Sequence, residues 1–506
     1  MLLSWSGAII NWFISKRIDQ MAEVMNNPSA TQLSVFNYLI EKSENTEWGK
    51  KYNYSDIKDY KSFQDTVPIL TYEEFRPYLE RIRNGESDIL WPGKINWFAK
   101  SSGTTSGKSK YIPVSDESIN DCHFKSGKDL LALYCNHFEN KDVFGGKTLV
   151  LGGSHQLNEF DQNIIQGDLS AIMIENLPFW VQKRRSPSKS VALMGEWEEK
   201  LNRMAEEAIN EDIRSISGVP SWTAVLIRKV LDITGANNLK DVWPNLELYM
   251  HGGVNFAPYV EEFKKYMPED LQYLETYNAS EGFFGIQDKP DRDDLLLLLD
   301  YGIFYEFIPM SEFKLDSRKA IPLEEVEIGK EYALVISTNA GLWRYLIGDT
   351  ITFTTKDPYR IKVTGRTKQY INVFGEELIV QNAEQALMEV CKDTKSIVRE
   401  FTAAPLLLES GSCGKHQWLV EFEKSPEDKF LFTELLDKKL QDLNSDYEAK
   451  RYKDLVLQQL DITYAKPNLF YNWLKSKGKL GGQNKVPRLV NDRSFMDELL
   501  ALNTCD

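Results

Sequence analysis

The chain has 506 residues, too many for one ordinary core, so at least two domains are expected. Its composition, 42% hydrophobic, 12% aromatic and 27% charged, is that of a folded globular protein and argues against extended disorder. With 75 acidic against 60 basic residues the net charge is -15, which repels phosphate backbones at long range and disfavours a nucleic-acid partner, while leaving room for a local nucleotide pocket.

The first hundred residues read as helices broken by turns, down to Trp91–Pro92–Gly93. The apolar N-terminal stretch is short, interrupted by Ser4, Ser6 and Asn11, and followed by Lys16 and Arg17. That pattern fits an amphipathic first helix packed on the body, without stable membrane insertion. A strand at 95–99 runs into a hydroxyl-rich stretch, Ser101–Ser102–Gly103–Thr104–Thr105–Ser106–Gly107–Lys108–Ser109–Lys110. Small residues let a phosphate approach the backbone, amide and hydroxyl groups donate to its oxygens, and lysines add charge. A Walker A loop needs four residues between its glycine and the Gly-Lys pair; three stand between Gly103 and Gly107, which excludes that motif. Ser115, followed by Asp116 and Glu117, reads as the cap of the next helix.

From 147 to 282 strands alternate with helices. Strands are expected at 148–151, 246–250 and 271–277, and helices at 196–209, 221–233 and 258–267. This is the pattern of parallel crossover units, whose loops after each strand share one sheet edge, the edge that binds ligands in open α/β sheets. The turns at 251–256 and 278–282 should therefore border one site. The run Lys183–Arg184–Arg185 reads as a solvated loop beside Pro187. From 295 to 366 longer strands with short loops suggest an antiparallel or barrel-like subdomain. Beyond a boundary near 366–370, helices at 382–392 and 428–443 and strands at 396–408 and 416–424 suggest a smaller α+β domain. The fold class is thus α/β, mixed α+β, with a large domain at 1–366 and a small one at 367–506. Five scattered cysteines form no metal or redox spacing and read as reduced thiols, which suggests a cytoplasmic protein.

Three stretches, in order, resemble the motifs of the adenylate-forming superfamily, and more narrowly the auxin- and jasmonate-responsive acyl acid amido synthetases, here in a bacterial-type form. The 101–110 stretch is similar to their S-S-G-T-S-x-G-x-x-K phosphate loop, with Thr105 at the fifth position. Tyr277–Asn278–Ala279–Ser280–Glu281–Gly282 resembles Y-x-x-S-E. Gly341–Leu342–Trp343–Arg344–Tyr345–Leu346–Ile347–Gly348–Asp349 resembles G-L-Y-R-Y-x-x-G-D. The resemblance implies that Tyr277 lies against adenine, Glu281 helps hold Mg²⁺ on ATP, and Asp349 accepts from the ribose hydroxyls. Those residue types suit the tasks: a π-face for a base, a hard oxygen for Mg²⁺, and a carboxylate for two donors. Taken alone, a Tyr and a Glu after a strand are more often packing and surface residues, and an Asp after Gly348 is at least as often a turn cap.

Gly365–Arg366–Thr367–Lys368 is similar to the superfamily hinge, which implies a nucleotide contact by Arg366 and a pivot at Lys368. Asn484–Lys485–Val486–Pro487–Arg488 resembles the element carrying the lysine that reaches the forming adenylate, with Lys475, Lys477 and Lys479 as competitors for that part. Gly253 borders adenine or the acyl group, and His251 is either a contact or a structural histidine. The implied activity is ATP- and Mg²⁺-dependent formation of an acyl-adenylate from a small carboxylic acid, then acyl transfer to an amine such as an amino acid. Lys485, Lys110 and Lys108 would be its catalytic cations. An acyl-CoA ligase shares the first half of that chemistry, and a degenerate nucleotide-binding interaction protein is the reading from another class.

Overall fold

The computed structural model describes residues 2–101, 110–138, 142–152, 155–157, 164–253, 256, 259–313, 318–367, 370–408, 413–476 and 486–504. The helix Leu2–Asn26 packs on the helix Phe124–His137, where Arg17 pairs with the buried Asp129 at 2.6 Å. Among the described residues no helix is long and apolar enough to cross a membrane.

Strands β1 (Trp97–Ser101) and β2 (Lys110–Val114) form an antiparallel hairpin whose last rung pairs Ser101 with Lys110. The candidate phosphate stretch therefore enters at Ser101 and leaves at Lys110, side by side on one rung; residues 102–109 lie outside the described residues. With β4 (His155–Leu157) and β5 (Ile165–Gly167) the hairpin forms a four-stranded sheet ordered β2-β1-β5-β4. As its sequence pattern requires, Ser115 caps the following turn by accepting from the Ser118 amide at 3.0 Å.

The main sheet has eleven strands. Its parallel half comprises β3 (Lys147–Val150), β6 (Arg185–Ser186), β7 (Ile213–Ser217), β8 (Leu248–Gly252) and β9 (Gln272–Ala279). The helix Val260–Tyr266 makes the crossover from β8 to β9, as expected from the alternation of patterns. A two-residue turn, Ser280–Glu281, then reverses the chain into β10 (Gly282–Ile286). Antiparallel strands follow: β11 (Leu295–Leu297), β12 (Ile303–Pro309), β13 (Glu331–Thr338), β14 (Tyr345–Lys356) and β15 (Tyr359–Arg366). The full order is β12-β13-β14-β15-β11-β10-β9-β8-β7-β3-β6. The antiparallel region thus continues the parallel sheet, a continuity no local pattern reveals.

Curvature of that region builds the site. β11 is only 3 residues long and meets β15 at Arg360 and Ile361. Beyond Ile361, β15, whose Arg366 end pairs with Asp349 of β14, consequently has no strand neighbour on its β11 side among the described residues. These two strand ends fold over the β9–β10 turn, in the barrel-like manner expected for 295–366.

Past residue 366 the chain forms a small ribbon, β16 (Tyr370–Ile371) with β17 (Leu378–Ile379). A three-stranded sheet of β18 (Ile397–Leu407), β19 (Gly414–Lys424) and β20 (Asp461–Tyr464) follows, with the helices Val380–Thr394, Lys429–Leu443 and Ser445–Arg451. Two large apolar clusters organise the molecule. One unites the N-terminal helices with the antiparallel strands; the other joins the parallel region to the C-terminal part, from Leu149 to Leu489.

One expectation fails. Arg185, read as part of a solvated basic run, is buried in edge strand β6 at 5% exposure. The parallel pairing of Thr148 with Arg185 and Leu149 with Ser186 draws Arg185 into the sheet, while Lys183 and Arg184 stay exposed as expected; local charge pattern cannot show that long-range pairing.

Candidate active site

Four separate stretches converge at the C-terminal end of β9. Lys110 closes the β1–β2 hairpin, Glu281 sits in the β9–β10 turn, Tyr345 and Asp349 lie on β14, and Arg366 ends β15. A chain of hydrogen bonds links them in two groups. The Lys110 ammonium donates to the Tyr345 hydroxyl at 3.4 Å, and that hydroxyl donates to Glu281 Oε1 at 3.2 Å. The Tyr277 hydroxyl donates to Asp349 Oδ2 at 2.7 Å, and Arg366 Nε donates to Asp349 Oδ1 at 2.7 Å. Arg366 then reaches Glu377, in the C-terminal part, at 3.3 Å.

Local backbone geometry supports this arrangement. Gly348 has φ +100°, a conformation that side chains with a Cβ rarely adopt, and it delivers Asp349 to the rung opposite Arg366. Gly252 is needed for another reason: a Cβ there would stand 2.3 Å from the Thr276 carbonyl oxygen. The close contact of β8 with β9 keeps the 251–253 turn beside the 278–282 turn, as the crossover pattern predicts.

Burial and charge set the electrostatics. Burial pushes the Lys110 ammonium below its ordinary pKa, while Glu281 opposes that shift. Burial pushes the Glu281 carboxyl up, partly offset by Lys110. The Tyr277 hydroxyl is raised by burial and by Asp349, so it stays a donor at neutral pH. For Arg366, burial works against the charge, but Glu377 and Asp349 outweigh it and hold the guanidinium firmly protonated. An ionised carboxylate has about four acceptor positions. Tyr277 and Arg366 each use one on Asp349, which leaves sites for two further donors such as ribose hydroxyls.

The other candidates fall as follows. Ser280 forms the turn with Glu281. Ser101 faces Lys110 across the hairpin. Gly253, at φ +81°, accepts at 3.3 Å from the Asn372 side chain of the C-terminal part. Tyr277 is buried with its ring against Phe284 at 4.9 Å. His251 stacks on Phe256 at 4.2 Å and burial holds its pKa down at about 3, so it is a neutral, packed ring. Ser102, Gly103, Thr104, Thr105, Ser106, Gly107, Lys108, Lys368 and Lys485 lie outside the described residues.

Sequence reasoning passed over two participants. Tyr345 bridges Lys110 and Glu281; it lies inside the quoted third motif, so the signal was present. Glu377 had none, because only the fold brings it to Arg366. Arg344, the motif's charged residue, is structural: at φ +43° it points inward and makes a buried pair with Glu306 at 2.7 Å, donating also to the Val67 carbonyl at 2.6 Å. Among the described residues no group of three or more His, Cys, Asp or Glu is placed to hold a metal ion. A metal at Glu281 would thus take one carboxylate and complete its shell with phosphate and water oxygens, the usual habit of Mg²⁺.

This mixed sheet, with Lys110, Glu281, Tyr277, Asp349 and Arg366 gathered at one end of β9, has the fold of adenylate-forming enzymes. A solved GH3.15 acyl acid amido synthetase in complex with 2,4-DB superposes with a TM-score of 0.63 at 18% identity, covering 97% of this chain and 96% of that one. A 2-hydroxyisobutyryl-CoA ligase in complex with 2-HIB-AMP and CoA superposes with a TM-score of 0.60 at 13% identity, covering 94% and 92%. The chain belongs to the GH3 family: the family's N-terminal domain matches residues 17–272, its central domain 296–366 and its C-terminal domain 381–494. It is 24% identical to the indole-3-acetic acid-amido synthetase GH3.3 of Arabidopsis thaliana, over 96% of this chain and 93% of that protein. It is 23% identical to the jasmonoyl–L-amino acid synthetase JAR4 of Nicotiana attenuata, over 76% and 78%.

Proposed function

We propose that the protein activates a small carboxylic acid with ATP as an acyl-adenylate and transfers the acyl group to an amine, an amino acid, forming an amide. The observation that carries this reading is the convergence of Lys110, Glu281, Tyr277, Asp349 and Arg366 at the ligand edge of the sheet, in a chain of the GH3 family.

In the first step an oxygen of the acid attacks the α-phosphorus. The new O–P bond replaces the bond to the bridging oxygen, and pyrophosphate leaves. In the second step the amine nitrogen attacks the acyl carbon, the C–O bond to AMP breaks, and the nitrogen sheds its proton. Neither step needs a protein nucleophile; both need aligned reactants and neutralised phosphate charge. Asp349, held by Tyr277 and Arg366, takes the ribose. Tyr277 serves this placement chiefly through its hydroxyl, its ring flanking the base. Lys110, with Ser101 and the stretch between them including Lys108, takes phosphate oxygens, and Lys485 would add a cation to the forming adenylate. Gly253 and Ser280 leave the edge open to the substrates. Mg²⁺ suits Glu281, where it would draw charge off the phosphates. The parts 1–366 and 367–506 would act as a large body and a small mobile domain, hinged past Arg366. Free thiols at Cys122, Cys135, Cys391 and Cys413 suit a reducing, cytoplasmic setting.

The test is exchange of labelled pyrophosphate into ATP across a panel of carboxylic acids. Acid-dependent exchange is expected, with loss in Glu281→Ala. Full exchange in that variant would remove Glu281 from the site. Amino acids and CoA are then offered: an amide by mass spectrometry supports the reading, and a thioester alone overturns its second half.

A further inference from the structure

A cleft of about 490 Å³ separates the N-terminal body from the helices Lys429–Leu443 and Ser445–Arg451. It begins one strand rung from the Ser101–Lys110 pair. The preceding rung pairs Lys100 with Tyr111, and both side chains line the cleft together with Tyr72. Its body wall is cationic, with Arg76, Arg83 and Lys100; Glu80, Asp442 and Glu448 add three carboxylates, two of them from the opposite wall. Such a lining suits neither an apolar ligand nor a polyanion. Equal numbers of both charges suit a small molecule that itself carries both.

Two buried donors show where the negative end would sit. Arg83 stacks its guanidinium on the Tyr111 ring at 3.9 Å and donates to Gln166 Oε1 at 3.3 Å. Arg83 Nε and Gln166 Nε2 are both buried without a hydrogen-bond partner among the described residues, and Gln166 is only 7% exposed. Leaving a buried donor unpaired is unfavourable, so adjacent unpaired donors point to an acceptor that arrives from outside. Lys100 stands on the same sheet face and has no ion-pair partner among the described residues. Gln166 pairs with Phe98 across β5 and β1, two residues before Lys100, so strand alternation puts Gln166 and Lys100 on one side, and Arg83 reaches that side by stacking on Tyr111, the residue paired with Lys100.

We propose that this cleft receives the acceptor as a zwitterionic amino acid, its α-carboxylate taken by Arg83 and Lys100, with Gln166 holding Arg83 from behind, and its ammonium end drawn in by Asp442 and Glu448. This deepens the amide-forming reading and rests on it. Pyrophosphate would match the cations but would face three carboxylates in the same space.

The test uses full-length Arg83→Gln and Lys100→Gln variants in two assays. In pyrophosphate exchange both should keep parent KM values for ATP and for pyrophosphate, since exchange needs no acceptor. In amide formation the KM for the amino acid should rise about tenfold or more, the effect of removing a hydrogen bond between charged groups. The preference for an amino acid over the amine lacking its carboxylate should fall by the same factor. Lys100→Gln alters a partly exposed side chain, so it reports even if Arg83→Gln folds poorly. Unchanged amino-acid KM in both variants, or a raised KM for pyrophosphate, overturns the proposal. Absence of exchange in the parent protein overturns the adenylation reading, and this one with it.

Discussion

Asp349→Asn tests the site most directly. The carboxylate receives two charge-assisted bonds at 2.7 Å, one per oxygen. An asparagine has the same shape but a single acceptor oxygen. With that oxygen facing Arg366, its NH₂ can still donate to the Tyr277 oxygen, so the local geometry survives while the charge is lost. Ribose then meets one neutral acceptor in place of a carboxylate. A hydrogen bond to a charged group contributes ~1.5–3 kcal/mol. Losing one and weakening the other should raise the KM for ATP about 30- to 100-fold in pyrophosphate exchange, at ~1.4 kcal/mol per tenfold. Tyr277→Phe removes only one donor to Asp349 and should cost about fivefold, roughly 1 kcal/mol. Arg366 keeps Glu377 at 3.3 Å, so unfolding by urea should shift by no more than about 2 kcal/mol in either variant. A KM for ATP within twofold of the parent in Asp349→Asn would refute the ribose assignment.

Other outcomes follow from the same contacts. Tyr345→Phe removes the hydroxyl that joins Lys110 to Glu281, and should lower the exchange rate about tenfold with little change in the KM for ATP; an unchanged rate would show that the bridge positions nothing. Arg344→Met strips the partner from Glu306, which is 0% exposed, and should destabilise the fold by ~3–5 kcal/mol in urea titration; a loss below about 1 kcal/mol would refute the buried pairing. Acid should weaken the fold through His123 and His251, whose burial holds their pKa values down at about 4 and about 3. Both values lie below that of an unfolded histidine, so the unfolded chain binds protons first and stability falls as pH drops from about 6.5 towards those values. Between pH 7 and pH 5 each histidine should remove ~2 kcal/mol, and His123→Asn should halve the slope; equal slopes would show that His123 is accessible to protons in the fold.

Much of this molecule was legible because local chemistry agreed with the fold. The Ser115 cap, the crossover from β8 to β9 and the long strands between 303 and 366 each follow from side-chain period and turn residues. Three motifs with no sequence proximity marked Lys110, Glu281, Tyr277 and Asp349 for one place. What stayed hidden depends on long-range pairing. Arg185 becomes buried because an edge strand forms beside β3, and no run of charges announces that. The meeting of Asp349 with Tyr277 requires β11 to be short, so that the ends of β14 and β15 curl over a turn seventy residues earlier in the chain. Arg83 and Gln166 carry no motif at all; they meet only because β5 pairs with β1 while the helix Tyr72–Arg83 lays Arg83 on the Tyr111 ring of β2.

Arg366 is where the nucleotide site and the C-terminal part share one side chain. Its contact with Asp349 is 2.7 Å long, and its contact with Glu377 is 3.3 Å. Asp349 has acceptor positions to spare, so a ribose can bind without displacing Arg366. On the proposed reading, nucleotide binding would therefore leave the shorter contact intact. Any rotation of the C-terminal part must instead break the longer one, together with the 3.3 Å bond from Asn372 to the Gly253 carbonyl. Both weak links lie on the C-terminal side of Arg366, while the ribose-binding group stays with β14 and β15. Rotation would also have to part the apolar cluster shared by the parallel region and the C-terminal part, and the 3.0 Å bond from the Tyr259 hydroxyl to the Val373 carbonyl, so those contacts, more than Arg366, set its cost.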